Sequence, residues 1–365
     1  MARAALVVVL LYLFLVGVGL LEVGIAGLGE GFTSGLLDRV ENPLAGLFAG
    51  VLFTVLVQSS SVSTATIVGL VGAGTLPLEL AVPMIMGANI GTTVTNTLAA
   101  LGNIRRPGQF RLSFAAATMH DLFNLLAVAI LLPIELLTGL LTRAAVALTE
   151  MLRTTEVSEL GRSPVRSAVK APIDLMTGVL DGDRVGEPVA AVLLLVLGLA
   201  SIFVALGLIT RNMRQLVAGG VERAMNSLIG SGGGSIGILV GILVTVAVQS
   251  SSITTSILIP MVAAGVLSLP NAYSVTLGAN VGTTITALLA SLAVLRPEGL
   301  TIALVHTLFN VTAIALLYPV PRIRTIPVRL AVRLATVASE RRSLVFTYVF
   351  GLFVAVPALG VLLLT

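Results

Sequence analysis

VQSSSVSTATIVGLVGAGTLPLELAVPMIMGANIGTTVTNTLAAL, residues 57–101, recurs as VQSSSITTSILIPMVAAGVLSLPNAYSVTLGANVGTTITALLASL at 248–292. The two stretches align without a gap at an offset of 191, with 22 of 45 positions identical. Self-similarity on that scale reports a duplicated structural unit. The copies extend outward from this block. HDLFN at 120–124 answers HTLFN at 306–310, and a basic, partly apolar stretch follows each copy at 136–153 and 321–340. An apolar helix precedes each, at 4–28 and 189–210, while a last apolar segment, 344–364, has no counterpart.

Hydrophobic residues make up 56% of the 365 and charged residues 10%, whereas a soluble domain carries roughly 25% charged residues. So little charge cannot cover a surface that faces water all round. Residues 4–21, 189–210 and 344–365 hold no charge at all. Each is long enough to cross the hydrocarbon core, which takes about 20 helical residues. The first exceeds the apolar run of a signal peptide and lacks a clear cleavage site, so it reads as a membrane helix. There is no cysteine, which excludes disulfides, thiolate chemistry and thiolate metal sites. Two histidines argue against a multi-histidine metal centre, and no basic run interleaved with aromatics supports nucleic-acid binding.

Parity sets the expected topology. The apolar sequence around each QSSS, 44–72 and 235–267, divides into halves too short to span about 30 Å at ~1.5 Å per residue. Each is read as a re-entrant hairpin with QSSS at its tip. The GAN-x-GTT segments, 78–101 and 270–295, can cross once and are expected to break near Asn89 and Gly91, and near Asn280 and Gly282. Each unit then crosses three times, an odd number, and the second must start from the opposite side. The expected fold is an all-α polytopic membrane protein of two inverted repeats, each with a re-entrant helical hairpin and an interrupted transmembrane helix. Repeat 1 covers 1–153, with a helix at 110–134 and an amphipathic arm at 136–153. An extracytoplasmic linker with one small helix fills 154–187. Repeat 2 covers 188–342, with a helix at 299–319 and an arm at 321–340, and a terminal helix fills 343–365. On seven crossings, the N-terminal side collects 13 Lys/Arg against 2 acids and the other side 8 against 13. The positive-inside rule then makes the N-terminus cytoplasmic and the C-terminus extracytoplasmic.

The duplicated motifs carry the chemistry. Ser and Thr hydroxyls donate to an anion and accept from a cation, and Gln, Asn and freed backbone carbonyls are hard oxygen ligands. Each broken element brings helix ends to the midplane, and each N-terminus carries roughly half a positive charge. Four N-termini would supply about +2, matching a doubly charged oxyanion, while the negative ends suit an alkali cation. The residues alone point to a small oxyanion that travels with cations.

VQSSS at 57–61 and 248–252, the GAN-[IV]-GTT pair, and FRLSFAAATMHDLFNLLAVAILLPIE at 110–135 resemble the type II sodium-dependent phosphate cotransporters. The resemblance covers nearly all of 44–135 and 235–320. It implies a secondary active symporter that couples sodium influx to inorganic phosphate uptake by alternating access, with no enzymatic activity and no cofactor beyond sodium as coupling ion. It implies phosphate contacts from Ser59, Ser60, Ser61, Ser250, Ser251, Ser252, Thr92 and Thr283. It implies sodium contacts from Gln58, Ser63, Thr64, Asn89, Thr93, Asn124, Gln249, Thr254, Thr255, Asn280, Thr284 and Asn310. The implied partners are phosphate, sodium and the lipid bilayer, with a homodimer left open and no nucleic acid. The chain lacks the large cysteine-bearing outer loop and long tails of animal members, and Arg105 and Arg106 stand where those members carry acids before Phe110. A bacterial plasma-membrane protein is the simplest expectation.

Blander roles stand beside these. Serine and threonine often bond back to helix carbonyls, and Gly91 and Gly282 can serve packing. His120 and His306 read first as structural donors. Asn124 and Asn310 read as cation ligands or as interhelical hydrogen bonds. Asp121, deep in a span, reads as a cation site or as a partner of His120 or an arginine. Glu22 reads as interfacial, and Gly17, Gly19, Gly24 and Gly27 as helix packing. Other functions are a carrier for another oxyanion or a carboxylate, an intramembrane serine hydrolase and an anion channel. The hydrolase lacks a G-x-S-x-G elbow.

Overall fold

The computed structural model describes residues 2–28, 42–154, 164–180, 186–231, 234–294 and 296–365. Regular structure among them is helical, without strands. Helix α1 (Ala2–Ala26) precedes the pair α2 (Pro43–Val57) and α3 (Ser60–Gly72), then α4 (Leu78–Thr92) and the short α5 (Val94–Ala100). Helices α6 (Pro107–Thr138), α7 (Leu140–Thr154) and α8 (Pro164–Val179) complete the first half. The second half runs α9 (Glu187–Ser231), α10 (Ser235–Val248), α11 (Ser251–Ala263), α12 (Leu269–Ser291), α13 (Pro297–Leu317) and α14 (Pro321–Glu340). The chain ends in α15 (Ser343–Phe350) and α16 (Val356–Leu364), joined by a π-helical turn, Gly351–Ala355. The expected linker over 154–187 and the loop over 29–43 lie partly outside the described residues. Within the linker, α8 sets Val169 and Ile173 against Val16 and Leu20 of α1.

Among the described residues, five helices are long and apolar enough to cross a membrane: Arg3–Ala26, Pro107–Thr138, Glu187–Leu216, Pro297–Leu317 and Ser343–Leu364. Length keeps out α4 and α5, of 15 and 7 residues, and composition keeps out the 23-residue α12. Their polar residues, among them Asn89, Thr92, Asn96, Asn280, Thr283 and Thr286, are buried. Helices enclosed by protein need no lipid-compatible surface. The chain is a multi-pass, all-α membrane protein.

The expected break at the GAN motifs is not where the sequence reading put it. Helix α12 runs unbroken from Leu269 to Ser291. In the first copy the chain stays helical through Asn89 and Gly91 and divides only at Thr93, itself right-handed helical at φ −80° and ψ −16°. The glycines act in packing instead. A Cβ on Gly87 would lie 2.0 Å from the Leu47 carbonyl oxygen, and one on Gly278 2.0 Å from that of Ile238. On the facing helices, a Cβ on Gly50 would meet the Met84 oxygen and one on Gly241 the Val275 oxygen, each at 2.1 Å. All four belong to Gly-x-x-x-Gly pairs (46/50, 87/91, 237/241, 278/282), the pattern that lets membrane helices approach backbone to backbone. Helix α2 is thereby clamped to α4, and α10 to α12. Gly17 and Gly24 do the same for α1 against α9, where added Cβ atoms would fall 2.9 Å from Ser201 Cβ and 2.4 Å from the Leu195 nitrogen.

Contacts between the halves are reciprocal. Arm α7 packs on α13 and arm α14 on α6, while α3 lies against α13 and α11 against α6. Each half thus holds the other through the same pair of surfaces. Thr149 and Thr301 hydroxyls meet at 3.0 Å across the α7–α13 contact. At the α6–α7 elbow the buried Glu135 carboxylate accepts the Leu141 N–H at 2.6 Å and the Thr142 N–H at 3.1 Å. This fills the orphan donors at the start of the arm. Glu22, expected at the membrane boundary, is buried instead.

Candidate functional site

Each QSSS motif is a helix end followed by a helix start. Helix α2 stops at Gln58 (φ 56°, ψ 23°) and α10 at Gln249 (φ 57°, ψ 31°). These are the two non-glycine residues at positive φ among those described. The left-handed conformation ends a helix cleanly but costs a non-glycine residue roughly 1 kcal/mol. The side chains explain why glycine does not stand there. Gln58 Nε2 donates to the Val55 carbonyl at 2.5 Å and Oε1 accepts from Thr95 at 3.3 Å. Gln249 repeats both bonds, to the Val246 carbonyl at 2.7 Å and from Thr286 at 3.2 Å. Each glutamine ties the tip of its helix pair to the helix that follows.

The next residue starts the second helix. Ser59 and Ser250 are extended N-caps whose hydroxyls accept from the Val62 and Ile253 N–H groups at 3.4 and 3.3 Å. The first-turn N–H groups of residues 60–61 and 251–252 have no intrahelical acceptor. The hydroxyls of Ser60, Ser61 and Ser252 have no hydrogen-bond partner among the described residues, and Ser251 Oγ is buried without one. A buried hydroxyl left unpaired is costly, so such a group marks a place where a ligand or water completes the structure.

Both motifs line one cavity of about 240 Å³. Gln58, Ser59, Ser60, Ser61 and Val62 form one side, and Gln249, Ser250, Ser251 and Ser252 the other. Phe203, Leu206, Gly207 and Thr210 of α9 complete the wall. Two helix N-termini meet there, which gives about one positive charge rather than the roughly two expected from four N-termini. The site offers hydroxyls, free N–H groups and a positive dipole field without an ionised side chain in its lining.

The remaining sequence-stated residues fall outside this cavity. Ser63, Thr64, Thr254 and Thr255 are buried one turn deeper, bonded to their own helix through the carbonyls of Ser59, Ser61, Ser250 and Ser251. Thr92, Thr93 and Thr284 likewise bond back to the carbonyls of Ala88, Ile90 and Val281. Thr283 Oγ1 is buried and unpaired.

The four asparagines come together in a separate buried cluster joining the halves. Asn280 Nδ2 donates to Asn124 Oδ1 at 2.7 Å, Asn124 Nδ2 to the Asn89 carbonyl at 2.8 Å, and Asn310 Nδ2 to Asn89 Oδ1 at 3.2 Å. His120 Nε2 stands 2.6 Å from Asn280 Oδ1, a bond that assigns the proton to Nε2. Three of the four amide oxygens thus have one partner each, and the buried Asn310 Oδ1 has none. Asn89, Asn124 and Asn280, expected as sodium ligands, form a hydrogen-bonded clasp between the halves. Among the described residues Asp121 does not pair with His120 or an arginine. Its Oδ2 accepts from Thr97 at 3.1 Å and from Tyr348 at 2.8 Å, and its buried Oδ1 has no partner.

Sequence reasoning missed three sets of residues. Thr95 and Thr286 occupy equivalent positions of the duplication and could have been found by asking which identities lie outside the motifs. Asn96, whose Oδ1 accepts from Thr255 at 3.0 Å and Ser256 at 3.2 Å across the halves, has no equivalent. Nor do the α9 wall residues, which no motif marks.

The paired tetrads, the GAN helices and the histidine-bearing helices all fall within 13–152 and 201–322, which match the Na+/Pi-cotransporter family. The chain belongs to that family. Among its curated relatives, sodium-dependent phosphate transport protein 2A of Ovis aries is 34% identical over 88% of the chain and 61% of its own length. The 2A protein of Oryctolagus cuniculus is 33% identical over 98% and 66%. The 2B protein of Homo sapiens is 31% identical over 87% and 58%. The chain spans about three-fifths of the length of the relatives it matches. No solved structure matches it significantly.

Proposed function

We propose that this chain is a plasma-membrane symporter that couples sodium entry to uptake of inorganic phosphate by alternating access. The observation that carries the reading is the single cavity formed by two copies of one tetrad. Doubling a serine cluster and pointing both copies at one space serves a solute approached from two sides; it has no use in hydrolysis. The family supplies phosphate and sodium, since the relatives are named as sodium-dependent phosphate transport proteins. In this reading Ser59–Ser61 and Ser250–Ser252 hold the phosphate oxygens through hydroxyls and first-turn N–H groups. The carboxyl ends of α2 and α10, with Gln58 and Gln249, supply oxygens for sodium at the same tips. Asp121, with its unpaired Oδ1 beside Thr97 and Tyr348, is a second cation position.

The helix pairs α2–α3 and α10–α11 act as re-entrant hairpins, and the halves as inverted repeats. Their reciprocal contacts support that view, as does the uneven distribution of basic residues that puts the N-terminus inside. Labelled phosphate uptake into proteoliposomes, with sodium gradient and potential varied separately, tests the proposal. Ser60→Ala and Ser251→Ala each remove a donor to a charged ligand, worth ~1.5–3 kcal/mol, or about 10- to 100-fold in apparent affinity. Full uptake in both variants would refute the site. Competition by sulfate, arsenate and carboxylates decides the anion.

A further inference from the structure

Helix α9 does more than wall the tetrad cavity. Farther along the helix, Arg211, Arg214 and Gln215 line a second, larger cavity of about 550 Å³. Gly207 and Thr210 line both spaces, so the two adjoin along α9. Ile253, directly after the second tetrad, lines the outer one from the opposite side. Arg211 and Arg214 are exposed, and neither guanidinium has a partner among the described residues. Gly207 sits where the two cavities adjoin. A Cβ there would meet nothing within 4 Å, whereas on Gly198 of the same helix it would fall 2.5 Å from the Leu21 nitrogen. Packing therefore does not require glycine at 207, and a glycine inside a helix costs about 1 kcal/mol against alanine. The missing side chain leaves open space where the two cavities share their wall.

We propose that this opening is the path by which the anion passes between the tetrads and the side of the membrane that bears Arg211, and that Arg211 and Arg214 form a second anion station on it. The inference rests on the anion-carrier reading. Two guanidiniums suit a tetrahedral oxyanion, which they grip through paired N–H donors. Their exposure keeps the station weak and salt-dependent, as a point of entry and release should be.

The chain has no cysteine, so Gly207→Cys places a single thiol at the junction of the two cavities without a clash. Its reaction is measured with an anionic and a cationic methanethiosulfonate, each normalised to its rate with a free thiol. At low salt the anionic reagent should react about tenfold faster, and adding Arg211→Gln and Arg214→Gln should bring the ratio close to one. A ratio near one in the parent, or a high ratio unchanged by the double substitution, overturns the proposal. Labelling needs neither phosphate nor sodium, so it stands or falls separately from the uptake tests, which judge the carrier reading.

Discussion

At the scale of single residues, the two glutamines decide how the tips are built. Gln58 and Gln249 hold a backbone conformation that glycine adopts more easily, and both use their side chains to reach Thr95 and Thr286. Strain and tie can be separated by substitution. Gln58→Ala keeps the strained backbone and loses the tie; Gln58→Gly loses the tie but relieves the strain. The glycine variant should therefore be more stable than the alanine variant by about 1 kcal/mol, read as a higher unfolding temperature in detergent. Both should transport poorly, because the tip is no longer fastened to α5. Asp121 gives a second residue-scale prediction. Asp121→Asn keeps the size of the side chain and its place beside Thr97 and Tyr348 but removes the charge. The sodium concentration for half-maximal uptake should rise about tenfold, equivalent to ~1.4 kcal/mol, with phosphate dependence at saturating sodium little changed. An unaltered sodium curve would exclude Asp121 from cation binding.

At the scale of elements, glycine spacing sets the helix pairs. Gly87→Ala and Gly278→Ala would each drive a methyl group against a carbonyl oxygen on the facing helix. The helices must separate, at a cost of about 1–3 kcal/mol each, and monodisperse protein in detergent should fall accordingly. Gly207→Ala is the contrasting case. With no neighbour to meet, it should leave stability unchanged or raise it by up to about 1 kcal/mol. The expected break at the GAN motif is absent from α12 and falls at Thr93 rather than Gly91 in the first copy, for a physical reason. Asn, Gly and Thr in one short motif look like helix breakers when their surroundings are unknown. Here the threonine hydroxyls bond back to the preceding turn, the glycines pack against α2 and α10, and the asparagines bond across the halves. The same residues would unwind a helix facing water and stabilise one facing another helix.

At the scale of the molecule, what could be read from the sequence was whatever the duplication repeated. The two tetrads, their glutamines and the helices around them appear twice, and an identity kept in both copies shows up without any structure. The contribution of α9 could not be read that way. Phe203, Gly207 and Thr210 lie in an apolar span whose composition carries no mark of a cavity, and they reach the tetrads only through tertiary packing. Asn96 and Tyr348 were hidden for the same reason: each acts in one half only, against a partner distant in the chain. The reciprocal hold of arm on helix, α7 on α13 and α14 on α6, makes the halves one packed body around the tetrads.

The central claim is that the two serine tetrads face one space and hold one anion. With no native cysteine to interfere, Ser60→Cys and Ser251→Cys can be combined in one chain and treated with a short bifunctional thiosulfonate. The account predicts an intramolecular cross-link in the double variant, slowed when phosphate and sodium are present together. Two thiols that each label singly but never join, or a cross-linking rate indifferent to phosphate, would contradict it.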